Sequence, residues 1–237
     1  VLSALSLSPA ARAASVGLPG AWQDWQPGND ISSTASLQRG AGNFMGYCAG
    51  CHSLKYVRYS RMGADLKIPE DQLEALLSPG SKKGDYMLTK LAAADGEAWF
   101  GKAPPDLSLI TRAKGSDYVY RFLKTFYSDP KSTNGTNNLA LPGTAMPHVL
   151  SSLQGVQTAK FSEGEPIQWE SFELVEPGQL SPEAYDDFVR DTVNFLEYVG
   201  EPVKAKRESL GVWVILFLLV FTGFAYLLKQ EYWKDVK

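Results

Sequence analysis

Two cysteines and a histidine stand together in Cys48-Ala49-Gly50-Cys51-His52. The spacing C-x-x-C-H suits covalent attachment of haem. Two thiols add across the two vinyl groups of one porphyrin, and the adjacent histidine offers an imidazole nitrogen to the iron. The chain has only two cysteines, and this pentad uses both. Other readings of a C-x-x-C pair account for less. A zinc site needs two further ligands, and His148 is the one histidine besides His52. A thioredoxin-like redox pair belongs in a βαβ context, which the pattern does not display. A structural disulfide would leave His52 without a role.

A second axial ligand must come from elsewhere in the chain. The methionines are Met45, Met62, Met87 and Met146. Met45 and Met62 are too close in sequence to the pentad to reach the opposite face of the ring easily. Met87 and Met146 both remain open. Met146 is the better placed, because it follows a long loop over 128–145 and precedes Pro147, which stops local helix. A thioether there would raise the reduction potential, whereas His148, the rival ligand, would lower it. Arg112 is a candidate partner for a haem propionate, since guanidinium gives a carboxylate two parallel hydrogen bonds; a solvated surface arginine is the plainer reading. Pro104 and Pro105 fix a rigid extended segment that could wall a haem edge. The basic, aromatic stretch from Tyr56 to Arg61 either borders the cofactor or a partner, or is a half-exposed amphipathic turn.

These residues need elements to hold them. Leu37, Ala41, Phe44 and Cys48 recur at helical spacing from Ser36 into the pentad. Gly40, Phe44 and Cys48 share one face. Gly40 costs a helix about 1 kcal/mol against alanine, and close approach of another helix is a reason to tolerate it. The natural partner lies after Ser181, a capping residue followed by Pro182 and Glu183. There Tyr185, Phe188, Val189, Thr192, Phe195, Leu196 and Val199 form an apolar stripe, which Gly200 and Pro202 end. Shorter helices are expected over Pro69–Leu77, with Leu73, Leu76 and Leu77 inward, from Leu107 to Arg112, and over Tyr118–Phe126.

With 237 residues the chain has room for one sizeable core or a domain plus appendages. Aromatics at 12% suit a pocket around a large flat cofactor. A net charge of −3 makes no case for nucleic acid. The charge is uneven: residues 161–201 hold eleven acids and one base (−10), and the rest holds 22 bases and 15 acids (+7). Such a segment either steers a basic partner or is a solvated helix face plus a polar loop. Val1–Ser15 reads as a signal-peptide remnant or a plain terminus. Leu210–Leu228 is nineteen residues without a charge, about 28 Å of helix, matching the ~30 Å core of a bilayer. Trp213, Tyr226 and Trp233 resemble interface anchors; a buried core helix is the weaker alternative. Lys204, Lys206 and Arg207 on one side balance Lys229, Lys234 and Lys237 on the other, so orientation rests on the haem, which bacteria attach outside the cytoplasm. The expected layout is a periplasmic haem domain over 16–203, a juxtamembrane linker over 204–209, an inner-membrane span over 210–228 and a cytoplasmic tail over 229–237.

The order of several short motifs then resembles the cytochrome c1 family, the haem c subunits of cytochrome bc1 complexes. The matching pieces begin with Leu37-Gln38-Arg39-Gly40 and Cys48–Ser53 followed by Tyr56-Val57 and Tyr59. They continue through Pro104-Pro105-Asp106-Leu107-Ser108, Ile110 and Arg112, then Asp117-Tyr118-Val119, Met146-Pro147, the acidic helix and the terminal anchor. Phe100-Gly101 departs from the polar residue that the family often places before that glycine, and the extra cysteines of some members are absent. The resemblance implies a mainly α, cytochrome c-like haem domain with loop insertions and one C-terminal transmembrane helix. It implies one haem c held by Cys48 and Cys51, His52 and Met146 as axial ligands, Arg112 on a propionate, and Tyr118 in the pocket. It implies one-electron transfer from a Rieske iron–sulfur protein to a soluble cytochrome c, beside a cytochrome b subunit in a dimeric complex, with no catalysis by this chain alone. The alternatives are another membrane-anchored monohaem cytochrome, such as an oxidase subunit, and a haem-based gas sensor.

Overall fold

The computed structural model describes residues 22–163 and 168–235, so the reading of Val1–Ser15 lies outside the described residues. In chain order, helix α1 (Thr34–Tyr47) leads into the pentad. Strand β1 (Leu54–Arg58), helices α2 (Tyr59–Leu66) and α3 (Glu70–Ala75) and strand β2 (Tyr86–Met87) follow. Helices α4 (Ala93–Phe100), α5 (Ile110–Lys114) and α6 (Ser116–Lys124) stand either side of the double proline. Strands β3 (Phe126–Ser128) and β4 (Thr136–Asn138) precede the Met146 loop, and α7 (Ser151–Gln154) follows it. Strands β5 (Gly155–Phe161) and β6 (Trp169–Pro177) lead to the long helices α8 (Pro182–Gly200) and α9 (Lys204–Tyr232).

Helices α1 and α8 form the frame. Ser33 caps α1 by accepting from the Ser36 amide at 3.4 Å, and Ser181 caps α8 by accepting from the Ala184 amide at 3.2 Å. The two helices meet at Gly40, where a Cβ would lie 2.0 Å from the Asp191 carbonyl oxygen and 2.7 Å from the Phe195 Cβ. Only a residue without a side chain permits that approach. Beside it the Phe44 and Phe195 rings pack at 5.9 Å, each contributing about 1.5–3 kcal/mol by burial. Asp191, 4% exposed, accepts from Ser36 Oγ at 2.6 Å and from Arg39 Nε at 2.5 Å. Asn194 Nδ2 donates to the same Ser36 oxygen at 2.9 Å. A carboxylate taken out of water needs such partners, and these lock the two helices in register. Gly40 and the apolar stripe thus pair as their spacing predicts.

Elsewhere the structure departs from the sequence expectation. Helix α1 stops at Tyr47, before the pentad, and Cys48 is its cap. Phe126 begins a strand instead of ending a helix: β3 and β4 pair antiparallel, with Phe126 opposite Asn138, inside what reads as loop. The segment after Gly155 is a second antiparallel hairpin, β5–β6. On β6 the apolar residues are interleaved with glutamates and most of the strand is exposed, while β5 is mostly half-buried, so the pattern reads as polar loop. The fold remains mainly helical, with three two-stranded sheets among the described residues.

The acidic run is also less bare than its composition suggests. Asp191 pairs with Arg39, Asp186 with Lys124, Glu173 with Lys160, Asp187 with Arg190, Glu197 with Lys204, and Glu201 with both Arg112 and Arg207. A continuous acidic face is therefore replaced by a paired joint, with exposed Glu170, Glu173 and Glu176 gathered on β6. Helix α9 contains a 27-residue stretch, Lys206–Tyr232, whose most apolar 18-residue window has mean hydropathy 2.4, with none of that window buried against the chain. That removes the core-helix alternative. Residues 204–209, expected as linker, form its first turns.

Candidate haem site

The pentad is a compact turn at the end of α1. The amides of Cys48 and Ala49 both donate to the Phe44 carbonyl, at 2.8 and 2.9 Å. The amides of Cys51 and His52 then return to the Cys48 carbonyl, at 3.1 and 2.8 Å. Because α1 is fixed on α8, the turn is fixed too. Both cysteines are free thiols. Burial, with the neighbouring Cys51 adding to it, pushes the Cys48 thiol up to about 12.

The double-proline segment holds the histidine. His52 Nδ1 lies 2.7 Å from the Pro105 carbonyl oxygen. As the donor in that bond, Nδ1 carries the proton and leaves the Nε2 lone pair free, the arrangement a metal-bound imidazole requires. Burial lowers the His52 pKa, against the opposing pull of the Pro105 carbonyl and Asp106, and so favours the neutral ring that can ligate. The segment is itself anchored. Asp106 accepts from the Lys55 amide at 2.9 Å and the Ser108 amide at 3.1 Å, and Leu107 N–H donates to the Ser53 carbonyl at 2.9 Å. Pro104 lies against Gly96 of α4.

A second group, an aromatic row, leads to the Met146 loop. Tyr118 stacks on Phe122 with centroids 6.3 Å apart, Phe122 meets Phe126 edge-on at 5.1 Å, and Phe126 lies face to face with His148 at 4.9 Å. This aromatic row ends two residues from Met146. The His148 ring is buried, which pulls its pKa down to about 4, and its Nε2 has no hydrogen-bond partner. Met146 itself is half-buried, its amide 3.4 Å from Thr144 Oγ1. Arg112 belongs to neither group by contact: its guanidinium pairs with Glu201 at 2.7 Å.

The donor set fits haem c. Two free thiols in a C-x-x-C-H turn, an imidazole with a free Nε2 and a thioether on a separate loop suit that group. A family model described as the Cytochrome C1 family matches residues 29–236. The chain belongs to the cytochrome c1 family. It is 49% identical over 213 residues to a cytochrome c1 of Allochromatium vinosum, a match covering 87% of each chain. It is 43% identical to the ammonia monooxygenase gamma subunit of Nitrosomonas europaea, covering 87% of this chain and 86% of that one. A solved hyperthermophilic respiratory Complex III contains a chain 22% identical, covering 91% of this chain and 80% of that chain, with a TM-score of 0.44. As a cytochrome c1, the chain carries one covalent haem c and is a membrane-anchored electron carrier of the bc1 complex. The oxidase-subunit and gas-sensor alternatives are not favoured.

Sequence reasoning named Pro105 as a wall and missed its carbonyl as the histidine's anchor, since a backbone oxygen leaves no trace in residue type. It also missed Asp106 and Ser108, which align that segment with β1. The motif Pro-Pro-Asp-Leu-Ser was the available signal.

Proposed function

We propose that His52 and Met146 are the axial pair, with Cys48 and Cys51 as the thioether anchors, and that this chain relays single electrons without an open coordination site. The observation that carries this is the Pro105 carbonyl on His52 Nδ1, which leaves Nε2 as the free donor. The stacking of His148 on Phe126, with its Nε2 buried, favours Met146 over His148 as the second ligand. When bound, the haem supplies a one-electron couple. The protein's part is to fix the imidazole, deliver a soft thioether that raises the potential, and exclude water. Arg112 remains the propionate partner in this reading, exchanging its exposed pairing with Glu201 for the propionate, and Tyr118 lines the pocket at the end of the aromatic row.

The electron arrives from a Rieske iron–sulfur protein and leaves to a soluble cytochrome c, beside a cytochrome b subunit in a dimeric complex. The haem domain, residues 16–203, faces the periplasm; residues 210–228 cross the inner membrane, leaving 229–237 in the cytoplasm. The test is Met146→Leu. The ferric methionine–iron absorption band disappears and the potential falls sharply; an unchanged potential overturns the ligand assignment. Cytochrome b and Rieske subunits copurify with the full chain.

A further inference from the structure

The loop from Leu139 to Met146 belongs to no helix or strand, yet its backbone is tightly held, and asparagines hold much of it. Asn138 is fully buried, 0% exposed. Its Oδ1 accepts from the amides of Ala140 at 2.9 Å and Leu141 at 3.1 Å, and from Thr125 Oγ1 at 3.2 Å. Its Nδ2 donates to the Phe122 carbonyl at 2.7 Å. Asn137 Oδ1 accepts from the Gly143 amide at 2.8 Å, and its Nδ2 donates to Asp129 at 2.9 Å. Across the hairpin, Asn134 Nδ2 donates to the Met146 carbonyl at 3.3 Å. The Leu139 amide donates to the Thr125 carbonyl at 3.2 Å.

We infer that Asn138, assisted by Asn137, is a positioning residue for the axial methionine; the inference rests on Met146 being that ligand. A neutral thioether is a weak donor, so its hold on iron depends on being presented in place at little entropic cost. A loop whose amides are bonded to water in several alternative ways would present it only part of the time. Here the amides of residues 140, 141 and 143 are bonded to two side chains of one short strand. That strand is paired to β3, whose Phe126 carries the His148 ring. Asn138 also ties the loop to α6 through Phe122. The Asn–Gly-rich composition that reads as featureless loop is the device that stiffens it. Replacing Asn138 leaves two loop amides and the Phe122 carbonyl without their partners, and the loop that leads to Met146 is then held mainly by Asn137 and by the long contact from Asn134.

The experiment uses the full chain with its covalent haem, in the purified membrane complex, as Asn138→Ala, the milder Asn137→Ala, and Met146→Leu for reference. Readouts are covalent haem per polypeptide, the ferric methionine–iron band, carbon monoxide binding by the ferrous form at neutral pH, and midpoint potential. The asparagine variants are expected to keep their covalent haem and to lose band intensity. They bind carbon monoxide where the parent does not and shift to lower potential, Asn138→Ala more than Asn137→Ala. Should Asn138→Ala yield no haem-bearing protein, Asn137→Ala alone decides. If Met146→Leu loses the band while the asparagine variants keep it and stay inert to carbon monoxide, even with a lowered unfolding midpoint, the positioning role is overturned. If Met146→Leu itself keeps the band, the ligand assignment falls, and the positioning role with it.

Discussion

Gly40 and Asp191 touch backbone to backbone: a methyl on the glycine would lie 2.0 Å from the aspartate's carbonyl oxygen. One turn away on the same helix pair, the Asp191 side chain accepts from Ser36 and Arg39. The contact and the ion pair together fix the angle at which α1 delivers Cys48, so the cofactor anchor is set by a helix far along the chain.

Gly40→Ala should therefore destabilise the full-length protein by about 3 kcal/mol, the upper end for overpacking a well-packed core. Gly42→Ala, two residues on and with nothing within 4 Å of its added Cβ, should stabilise it by up to about 1 kcal/mol through helix propensity. Denaturant unfolding of the detergent-solubilised chain distinguishes them. Equal effects at the two positions would contradict the close crossing.

Asp106→Ala removes the acceptor for the Lys55 and Ser108 amides, at a cost of about 0.5–1.5 kcal/mol for each lost bond. The segment that carries the Pro105 carbonyl then loosens against His52, and the midpoint potential falls with haem content intact. A potential identical to the parent's would show that the Leu107 and Ser53 bond suffices.

Glu197 supplies a pH test. Burial alone would raise its carboxyl, but the Lys204 ammonium, with Asn29 and Ser116 donating, outweighs burial and holds it below the usual 4.5. A carboxyl with a depressed folded pKa stabilises the fold above its unfolded value, and that contribution is lost as pH falls through the folded one. Acid should thus loosen the junction of α8 and α9. Glu197→Gln should lower stability at neutral pH and flatten the acid limb below about 4.5, followed by thermal unfolding across pH.

Glu170→Gln combined with Glu176→Gln removes exposed charge from β6 without breaking an ion pair among the described residues. The second-order rate of electron transfer to a basic soluble cytochrome c should drop several-fold at low ionic strength. The gap should close towards 1 M salt, where the Debye length shrinks to about 3 Å. A rate insensitive to the double substitution would move the steering charge elsewhere.

What residue type and spacing express was readable in advance. The pentad, the cap at Ser181, the glycine at the crossing and the apolar length of α9 are all local patterns. What depends on distant partners was not. Asp191 counts as one more acid until Arg39, 152 residues away, is seen against it. Glu201 likewise looks like surface charge, although it bridges Arg112 and Arg207. Asn138 sits in a composition that signals solvent, and only the pairing of β4 with β3 puts it inside. The β5–β6 hairpin escaped because its apolar residues cover little of the core and so leave no clear alternation.

Only Glu201, Pro202 and Val203 separate α8 from α9, a tether of about 10 Å at full stretch, and Glu201 pairs with Arg207 in the first turn of α9. Such a short leash denies the electron carrier any commute. It stays berthed at the bilayer surface, so traffic through it is set by how often its donor and its acceptor call, and by how fast each departs.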